Sequence, residues 1–192
     1  MRSNCNDMSA PFDVVAVVGS QRRESLTRGL LRGLIRVAPP SLRIEEIPLG
    51  TLPLYNQDHE GEPPRPWTEF RARVLRANAV LFATPEYNRS VPGALKNAID
   101  VGSRPPGKSV WNGKPAALVS ASPGAIGGFG ANHHLRQSLV FLNMPTMQQP
   151  EAYIGGVDRL IDADGQFKDE STRAFLASFM SAFEHWISRF VG

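Results

Sequence analysis

The chain has 192 residues, of which 42% are hydrophobic, and this is enough to build a substantial core within one domain. Its net charge of +3 and its pI of about 9.3 favour small anionic ligands, but the dense basic clusters of a dedicated nucleic-acid-binding protein are missing from the sequence. The one cysteine, Cys5, excludes an internal disulfide framework and indicates a reducing compartment.

The chain opens with a polar tail, residues 1–11, which is followed by a predicted strand. The tail lacks the apolar segment of a signal peptide, and no later run reaches the ~18 apolar residues that span a bilayer. We therefore expect a cytoplasmic protein that does not contact a membrane. Phe12–Val18 is a β-branched run that ends at Gly19 and predicts the first strand.

The first predicted helix follows this strand. Its apolar side is formed by Leu26, Leu30, Leu34 and Val37. Arginines recur at every fourth position on the same helix, at Arg28, Arg32 and Arg36. This spacing predicts a solvated face in preference to a nucleic-acid-binding stripe.

The rest of the chain alternates predicted strands with predicted helices. The remaining strands are predicted at Leu42–Leu49, Ala79–Ala83, Pro115–Ser122 and within Met144–Ile154. The remaining helices are predicted at residues 67–77, from Pro92 onward, around Leu135, Leu139 and Leu142, and at Glu170–Phe190. The last helix is expected to bury Phe175, Leu176, Phe179, Met180, Phe183, Ile187 and Phe190. A proline-rich connection at residues 50–66 is long enough to be functional or to contact a partner.

This alternation predicts an α/β fold built from parallel strand–helix–strand units. Right-handed crossovers then give a three-layer sandwich, with helices on both faces of one open sheet. Five strands favour the order 2-1-3-4-5, in which a crevice opens at the carboxyl ends of strands 1 and 3. We expect residues 1–192 to form a single domain, since the sequence shows no repeat or linker.

The loop after strand 1 carries groups suited to a phosphate. It supplies the hydroxyls of Ser20, Ser25 and Thr27, the guanidinium of Arg22 and the amides of a helix N-terminus. Unpaired N–H groups and a partial positive charge stabilise a phosphate at such a position. Serine and threonine near a helix start are also ordinary caps, and for this loop alone capping is the stronger interpretation.

Two familiar nucleotide-binding loops are excluded by residue identity. The Walker pattern needs Gly-Lys-Ser/Thr at a helix start, and the chain has no such run. The dinucleotide fingerprint needs three spaced glycines after the first strand, but Gly19 stands alone there. A terminal monophosphate therefore suits this loop better than a pyrophosphate.

Two further loops are predicted at the same edge of the sheet. After strand 3, Tyr87 and Asn88 offer a flat ring beside amide groups, which suits a heteroaromatic ligand, although Pro85 and Tyr87 could simply pack a turn. After strand 4, the glycine-rich segment 123–130 allows backbone N–H groups to approach a ligand closely. Three such loops on one crevice strengthen the ligand hypothesis.

Over nearly its whole length the chain resembles the NAD(P)H-dependent FMN reductases, whose flavodoxin-like fold is shared by quinone, chromate and azo-dye reductases. The resemblance rests on three motifs: Gly19-Ser20-x-Arg22-x-x-Ser25; Pro85-Glu86-Tyr87-Asn88 followed by Ser90-x-Pro92-Gly93-Ala94-Leu95-Lys96-Asn97-Ala98-Ile99-Asp100; and Ser120-Ala121-Ser122-Pro123-Gly124 with Gly127-Gly128. The sequence departs from the usual family pattern at Thr27, Arg89, Phe129, Gly130 and His133.

The resemblance implies an FMN site and a role for each loop. Ser20, Arg22, Ser25 and Thr27 would hold the FMN phosphate. Pro85, Glu86, Tyr87 and Asn88 would line the flavin ring, with Ser122 and Gly124 on its other edge. NADH or NADPH would serve as co-substrate, and a quinone, azo dye, chromate or free flavin would be the small-molecule acceptor in a ping-pong reaction.

Because the chemistry would belong to the cofactor, we assign no catalytic side chain. The alternative function is that of a flavodoxin-like electron carrier or a non-catalytic flavin-binding module, and an empty structural crevice is a third possibility. The basic surface favours an enzyme that attracts anionic NAD(P)H.

Metal binding is not expected, because His133 and His134 are adjacent and point about 100° apart on a helix. The resemblance also implies a homodimer or homotetramer. The segment Leu52–Asp58 is the predicted subunit contact, and Glu151 is more simply a surface carboxylate.

Overall fold

Five parallel strands form the centre of the structure, a computed structural model that describes residues 10–191. The strands are Phe12–Val18 (β1), Leu42–Ile47 (β2), Ala79–Thr84 (β3), Ala116–Ser122 (β4) and Ala152–Gly155 (β5). Their order is β2-β1-β3-β4-β5 and every neighbouring pair is parallel, so the predicted topology is confirmed. Cys5 and most of the predicted tail lie outside the described residues.

Six helices connect and cover the strands within residues 10–191. They are Leu26–Val37 (α1), Arg65–Arg76 (α2), Gly93–Gly102 (α3), Phe129–Phe141 (α4), Val157–Leu160 (α5) and Glu170–Ile187 (α6), and a 3-10 turn lies at Gln57–His59. The short α5 was not predicted. The sequence predicted Pro92 as the first residue of α3, but in the structure Pro92 is the N-cap of that helix. No helix of the described part of the chain is both long and apolar enough to cross a bilayer.

Two hydrophobic cores, one on each face of the sheet, produce the three layers. Successive residues of β1 point to opposite faces, so that Val14 packs beneath α1 and α6 while Val15 packs beneath α2, α3 and α4. β3 is buried along its whole length, as expected for a central parallel strand covered on both sides.

The closing helix α6 is less buried than the sequence indicated. Leu176, Phe179, Met180, Phe183 and Ile187 lie in the core as predicted. Phe175 and Phe190, however, are 37% and 46% exposed, so their assignment to the core was wrong. Phe190 follows the end of the helix at Ile187, and there the chain no longer maintains helical periodicity against the sheet.

The register of the sheet brings three strand ends together. Val18 at the end of β1 pairs with Ala83, and Thr84 at the end of β3 pairs with Ser120 of β4. The loops that follow β1, β3 and β4 therefore start side by side at one edge of the sheet. Gly19 permits this close approach, since a Cβ there would lie 3.0 Å from the Thr84 hydroxyl oxygen.

Candidate functional site

The three loops enclose a small crevice of about 150 Å³ at the carboxyl edge of the sheet. Seven of the ten predicted cofactor-binding residues line it, namely Ser20, Arg22, Thr27, Pro85, Glu86, Tyr87 and Ser122. Leu26, Ala121, Pro123 and Val157 supply the apolar part of its wall. The other three predicted residues, Ser25, Asn88 and Gly124, belong to the same loops but do not line the crevice.

The first loop ends at the N-terminus of α1, where Ser25 is the N-cap. The Ser25 hydroxyl oxygen accepts a hydrogen bond from the Arg28 amide at 3.1 Å, so the capping interpretation of this residue is correct. The amides of Leu26 and Thr27 lie in the first turn of α1, so no carbonyl of the helix accepts from them, and they face its open N-terminal end. The first turn carries no acidic residue, so nothing there competes with an anion.

Arg28 supports the first loop from behind, which the sequence did not reveal. Its Nε donates to the Glu46 carboxylate at 2.9 Å, while its terminal nitrogens donate to the carbonyls of Arg22 and Ser20 at 3.2 and 3.3 Å. The prediction of a solvated side chain was therefore wrong for Arg28, whose side chain is 27% exposed. Arg28 fixes the backbone that presents the Ser20 and Arg22 side chains.

The second loop is a tight turn that closes on itself. The amides and carbonyls of Tyr87 and Ser90 exchange two hydrogen bonds of 3.0 Å, and the two residues between them, Asn88 and Arg89, have φ angles of +52° and +63°. Two successive left-handed residues define a type I′ turn. The turn leaves the Tyr87 side chain 46% exposed at the crevice.

Glu86 lies at the base of this turn and is largely buried. Its side chain is 12% exposed, and its carboxylate accepts hydrogen bonds from the Ala131 amide and from the Arg89 guanidinium, each at 3.1 Å. Ala131 lies in the first turn of α4, so the second loop is tied to the helix that follows the third loop.

The third loop turns sharply between β4 and α4. The Ser122 hydroxyl oxygen accepts from the Gly124 amide at 3.0 Å, which leaves the Ser122 hydroxyl proton free to donate into the crevice. Gly127 and Gly128 have φ angles of +59° and +76°, a region that favours glycine. Gly127 packs directly against the backbone of β5 at Tyr153 and Ile154.

An aromatic cluster stands beside the third loop. Phe129 and His133 have ring centroids 4.2 Å apart, and His133 Nε2 lies 2.8 Å from the Tyr153 hydroxyl oxygen. Burial, and then the nearby Glu151 carboxylate, raise the pKa of Tyr153 to about 12. Tyr153 is therefore a neutral phenol at physiological pH.

Other parts of the described chain are weaker candidates for the functional site. A larger cavity of about 730 Å³ lies beside the carboxyl end of α3, between Tyr55, Arg104 and Phe141, and contains none of the predicted site residues. Within residues 10–191 no group of three or more His, Cys, Asp or Glu side chains is arranged to hold a metal ion. The convergence of hydroxyls, a guanidinium and a flat ring distinguishes the crevice at the carboxyl edge.

Comparison with known proteins places the chain in a family of flavoenzymes. Residues 12–158 match the family described as NADPH-dependent FMN reductase. A quinone reductase of Pseudomonas putida is 59% identical over 181 residues, which cover 94% of this chain and 97% of the relative. An NAD(P)H-dependent FMN reductase of Pseudomonas aeruginosa is 40% identical, with 96% and 100% of the two chains covered.

Solved structures agree with the sequence comparisons. The flavoenzyme FerB of Paracoccus denitrificans, an NAD(P)H:acceptor oxidoreductase, superimposes with a TM-score of 0.89 at 40% identity, covering 93% of this chain and 98% of FerB. A flavodoxin of Pseudomonas aeruginosa, 16% identical with a TM-score of 0.57, shares the fold, with 90% and 99% of the two chains covered. The predicted flavodoxin-like fold is therefore confirmed, and the chain belongs to the family of NADPH-dependent FMN reductases, oxidoreductases whose cofactor is FMN and whose co-substrate is a reduced nicotinamide nucleotide.

Proposed function

We propose that this enzyme reduces quinones with electrons from NADH or NADPH, using FMN bound at the carboxyl-edge crevice. The observation that carries the proposal is the convergence of three features on one crevice: a helix start with hydroxyls and a guanidinium, a turn with an exposed tyrosine ring, and a glycine-rich loop. The names of two relatives support a quinone acceptor. The Pseudomonas putida protein is named a quinone reductase, and a 42% identical protein of a Burkholderia species is named a 2-hydroxy-1,4-benzoquinone reductase.

The residues of the three loops suit FMN at both of its ends. Ser20, Arg22, Ser25 and Thr27 would hold the phosphate, because they combine hydroxyl donors and one guanidinium with the open amides of α1. Pro85, Glu86, Tyr87 and Asn88 would line the ring, with Ser122 and Gly124 at its other edge. Ser25 donates its hydroxyl proton in this arrangement while its oxygen continues to cap the helix.

FMN, when bound, would supply the redox chemistry of two-electron transfer from the nicotinamide to the acceptor. The protein binds and orients the reactants. Half of the Tyr87 side chain is exposed at the opening of the crevice, where a planar nicotinamide or quinone can pack against it. The Ser122 hydroxyl offers a hydrogen bond to a polar edge of the ring. No side chain of the crevice is assigned as a proton donor or acceptor.

The acceptor range and the kinetic order are finer parts of the proposal. One ring face serving both the nicotinamide and the acceptor requires the first product to leave before the second substrate binds, and this gives ping-pong kinetics. Azo dyes, chromate and free flavin are further candidate acceptors. The test is steady-state NADH and NADPH oxidation with a benzoquinone varied at several nucleotide concentrations, for which we expect parallel double-reciprocal lines.

An electron carrier or a non-catalytic flavin module is the competing function. Both would bind FMN and turn yellow, but neither would oxidise NADH or NADPH when a quinone is added. FMN binding without nucleotide oxidation would therefore replace the reductase proposal with this alternative. Protein that shows no flavin absorbance after incubation with FMN would contradict the whole assignment.

We also propose a cytoplasmic homodimer or homotetramer. The segment Leu52–Asp58 supports subunit contact because the Leu54 side chain is 78% exposed, while Asn97 fixes the backbone by accepting from the Tyr55 amide at 2.7 Å. Light scattering at micromolar concentration checks the assembly, and a Leu54→Glu variant should be smaller than the wild type if this segment forms the contact. A monomeric wild type would contradict the proposal.

Ser25 allows the capping and phosphate-binding roles to be separated. Aspartate is as good an N-cap as serine, but its carboxylate repels a phosphate. We expect Ser25→Asp to change the free energy of unfolding of the flavin-free protein by less than ~0.5 kcal/mol while weakening FMN binding about tenfold or more. Urea denaturation and FMN titration measure the two quantities.

Ser25→Ala is the matched control, because it removes the cap without adding charge. It should lower the free energy of unfolding of the flavin-free protein by about 1 kcal/mol. If Ser25→Asp binds FMN as tightly as the wild type, the phosphate is not held at this helix start.

A further inference from the structure

We propose that the Glu86 carboxylate is a positioning residue, which fastens the turn formed by Tyr87, Asn88, Arg89 and Ser90 to the start of α4. In this way it sets the position of the wall against which the flavin ring packs. The inference rests on the proposed function, because that function assigns the turn to the ring. It adds a role for Glu86 that is distinct from contact with the cofactor.

The contacts of Glu86 join two parts of the chain that are distant in sequence. One carboxylate oxygen accepts from the Ala131 amide and the other from the Arg89 guanidinium, each at 3.1 Å. A carboxylate near a helix N-terminus is favoured both by the unpaired amides and by the positive end of the helix dipole. The Glu86 side chain is only 12% exposed, so solvent screens its contact with the Ala131 amide weakly, whereas the Arg89 side chain is 74% exposed.

The turn needs such external support because its own sequence does not favour it. A type I′ turn usually carries glycine at one of its two central positions, but here both are non-glycine residues, Asn88 and Arg89, with positive φ. Asparagine tolerates this conformation, whereas arginine is strained in it. The Arg89 guanidinium binds Glu86, so the strained residue is held by the same carboxylate that holds α4.

A second contact joins the turn to α4 one helical turn further along. Ser90 Oγ lies 2.7 Å from His134 Nδ1, and His134 follows Ala131 by three residues on the same side of the helix. The turn is therefore attached to α4 at both of its ends. Its position relative to the crevice depends on the helix as well as on β3.

Gly130 makes the close approach of the turn and the helix possible. A Cβ at this position would lie 2.9 Å from the Glu86 carboxylate and 3.2 Å from the Arg89 carbonyl oxygen. Alanine would favour the helix by about 1 kcal/mol at an unconstrained site, so glycine here is explained by the approach of the turn. Gly130→Ala therefore crowds the Glu86 carboxylate and the Arg89 carbonyl without removing any hydrogen-bonding group.

The Glu86 contacts leave the phosphate end of the site untouched. The first loop, which is the proposed phosphate site, is held by Arg28 and by the Ser25 cap of α1. Neither makes a hydrogen bond with Glu86 or α4 among the described residues. Loss of the Glu86 contacts should therefore weaken binding of the flavin ring and leave binding of the phosphate unchanged. FMN and riboflavin, which differ only in the phosphate, distinguish the two.

The first experiment measures amide hydrogen exchange in flavin-free protein. We expect Glu86→Ala to accelerate exchange at the Ser90 and Ala131 amides relative to the wild type, and Glu86→Gln, which keeps an oxygen acceptor, to restore much of the protection. Glu62→Ala, which alters an exposed glutamate outside the site, is the matched control. Unchanged exchange at both amides in Glu86→Ala would overturn the proposal.

The second experiment titrates FMN and riboflavin into each variant. Glu86→Ala and Gly130→Ala should weaken both ligands to a similar extent, about tenfold, so that the ratio of the two affinities stays that of the wild type. A loss confined to FMN, or no loss for either ligand, would contradict the positioning role. The exchange experiment uses no flavin. It therefore shows whether Glu86 holds the turn to α4 even if the wild type binds neither ligand and the proposed function fails.

Discussion

We expect the Gly127→Ala variant to lose about 3 to 4 kcal/mol of its free energy of unfolding, and to lose flavin binding with it. A Cβ on Gly127 would lie 2.5 Å from the carbonyl carbon of Tyr153 and 2.7 Å from the amide nitrogen of Ile154. Both atoms belong to the backbone of β5, which is paired with β4 and cannot move aside as a flexible side chain would. Urea denaturation and FMN titration measure the two losses.

Gly107→Ala is the control that isolates the backbone conformation. Gly107 also has a positive φ, +77°, but nothing lies within 4 Å of a Cβ placed on it. This variant should therefore show only the strain of a left-handed alanine, about 1 kcal/mol, and bind flavin normally. Equal losses in the two variants would mean that the contact with β5 contributes nothing.

Local patterns in the sequence were sufficient to predict the sheet and its order. A β-branched run such as Phe12–Val18 and a helical repeat such as the leucines of α1 depend on neighbouring residues, so they can be read without tertiary information. Parallel connections then restrict the possible topologies to very few. The carboxyl-edge crevice followed from that topology, since strand ends in a parallel sheet share one edge.

The details that shape the crevice depend on residues far apart in the chain. Arg28 was predicted to be solvated, yet Glu46 and two carbonyls of the first loop bind it. The sequence feature that could have predicted this contact is Glu46, an acidic residue near the end of β2, the strand that follows α1. The attachment of Glu86 to Ala131, 45 residues away, left no comparable sign in the sequence.

Helix ends and surface aromatics were the other source of error. The spacing of Phe175 and Phe190 agrees with a buried helical face, but a periodic pattern does not show where the sheet beneath the helix stops. Phe175 lies just before the buried stretch that runs from Leu176 to Ile187, and Phe190 lies beyond the end of α6.

The phosphate end of the proposed site gives the other large prediction. We expect Arg22→Ala to weaken FMN binding by ~1.5 to 3 kcal/mol, or about 10- to 150-fold, because a charged hydrogen bond to the phosphate is lost. The loop should keep its shape, since Arg28 binds the carbonyl of residue 22 and this carbonyl remains in the variant. Fluorescence titration of flavin-free protein with FMN measures the loss.

Riboflavin and a neighbouring arginine provide the controls for this prediction. Riboflavin lacks the phosphate, so Arg22→Ala should bind it as the wild type does, and the preference for FMN over riboflavin should fall by the same factor as the FMN affinity. Arg23→Ala removes an equal charge from an exposed position that does not line the crevice, and should leave the preference nearly unchanged. If the two arginine variants behave alike, general attraction of the basic surface for an anion accounts for the effect, and Arg22 makes no specific contact with the phosphate.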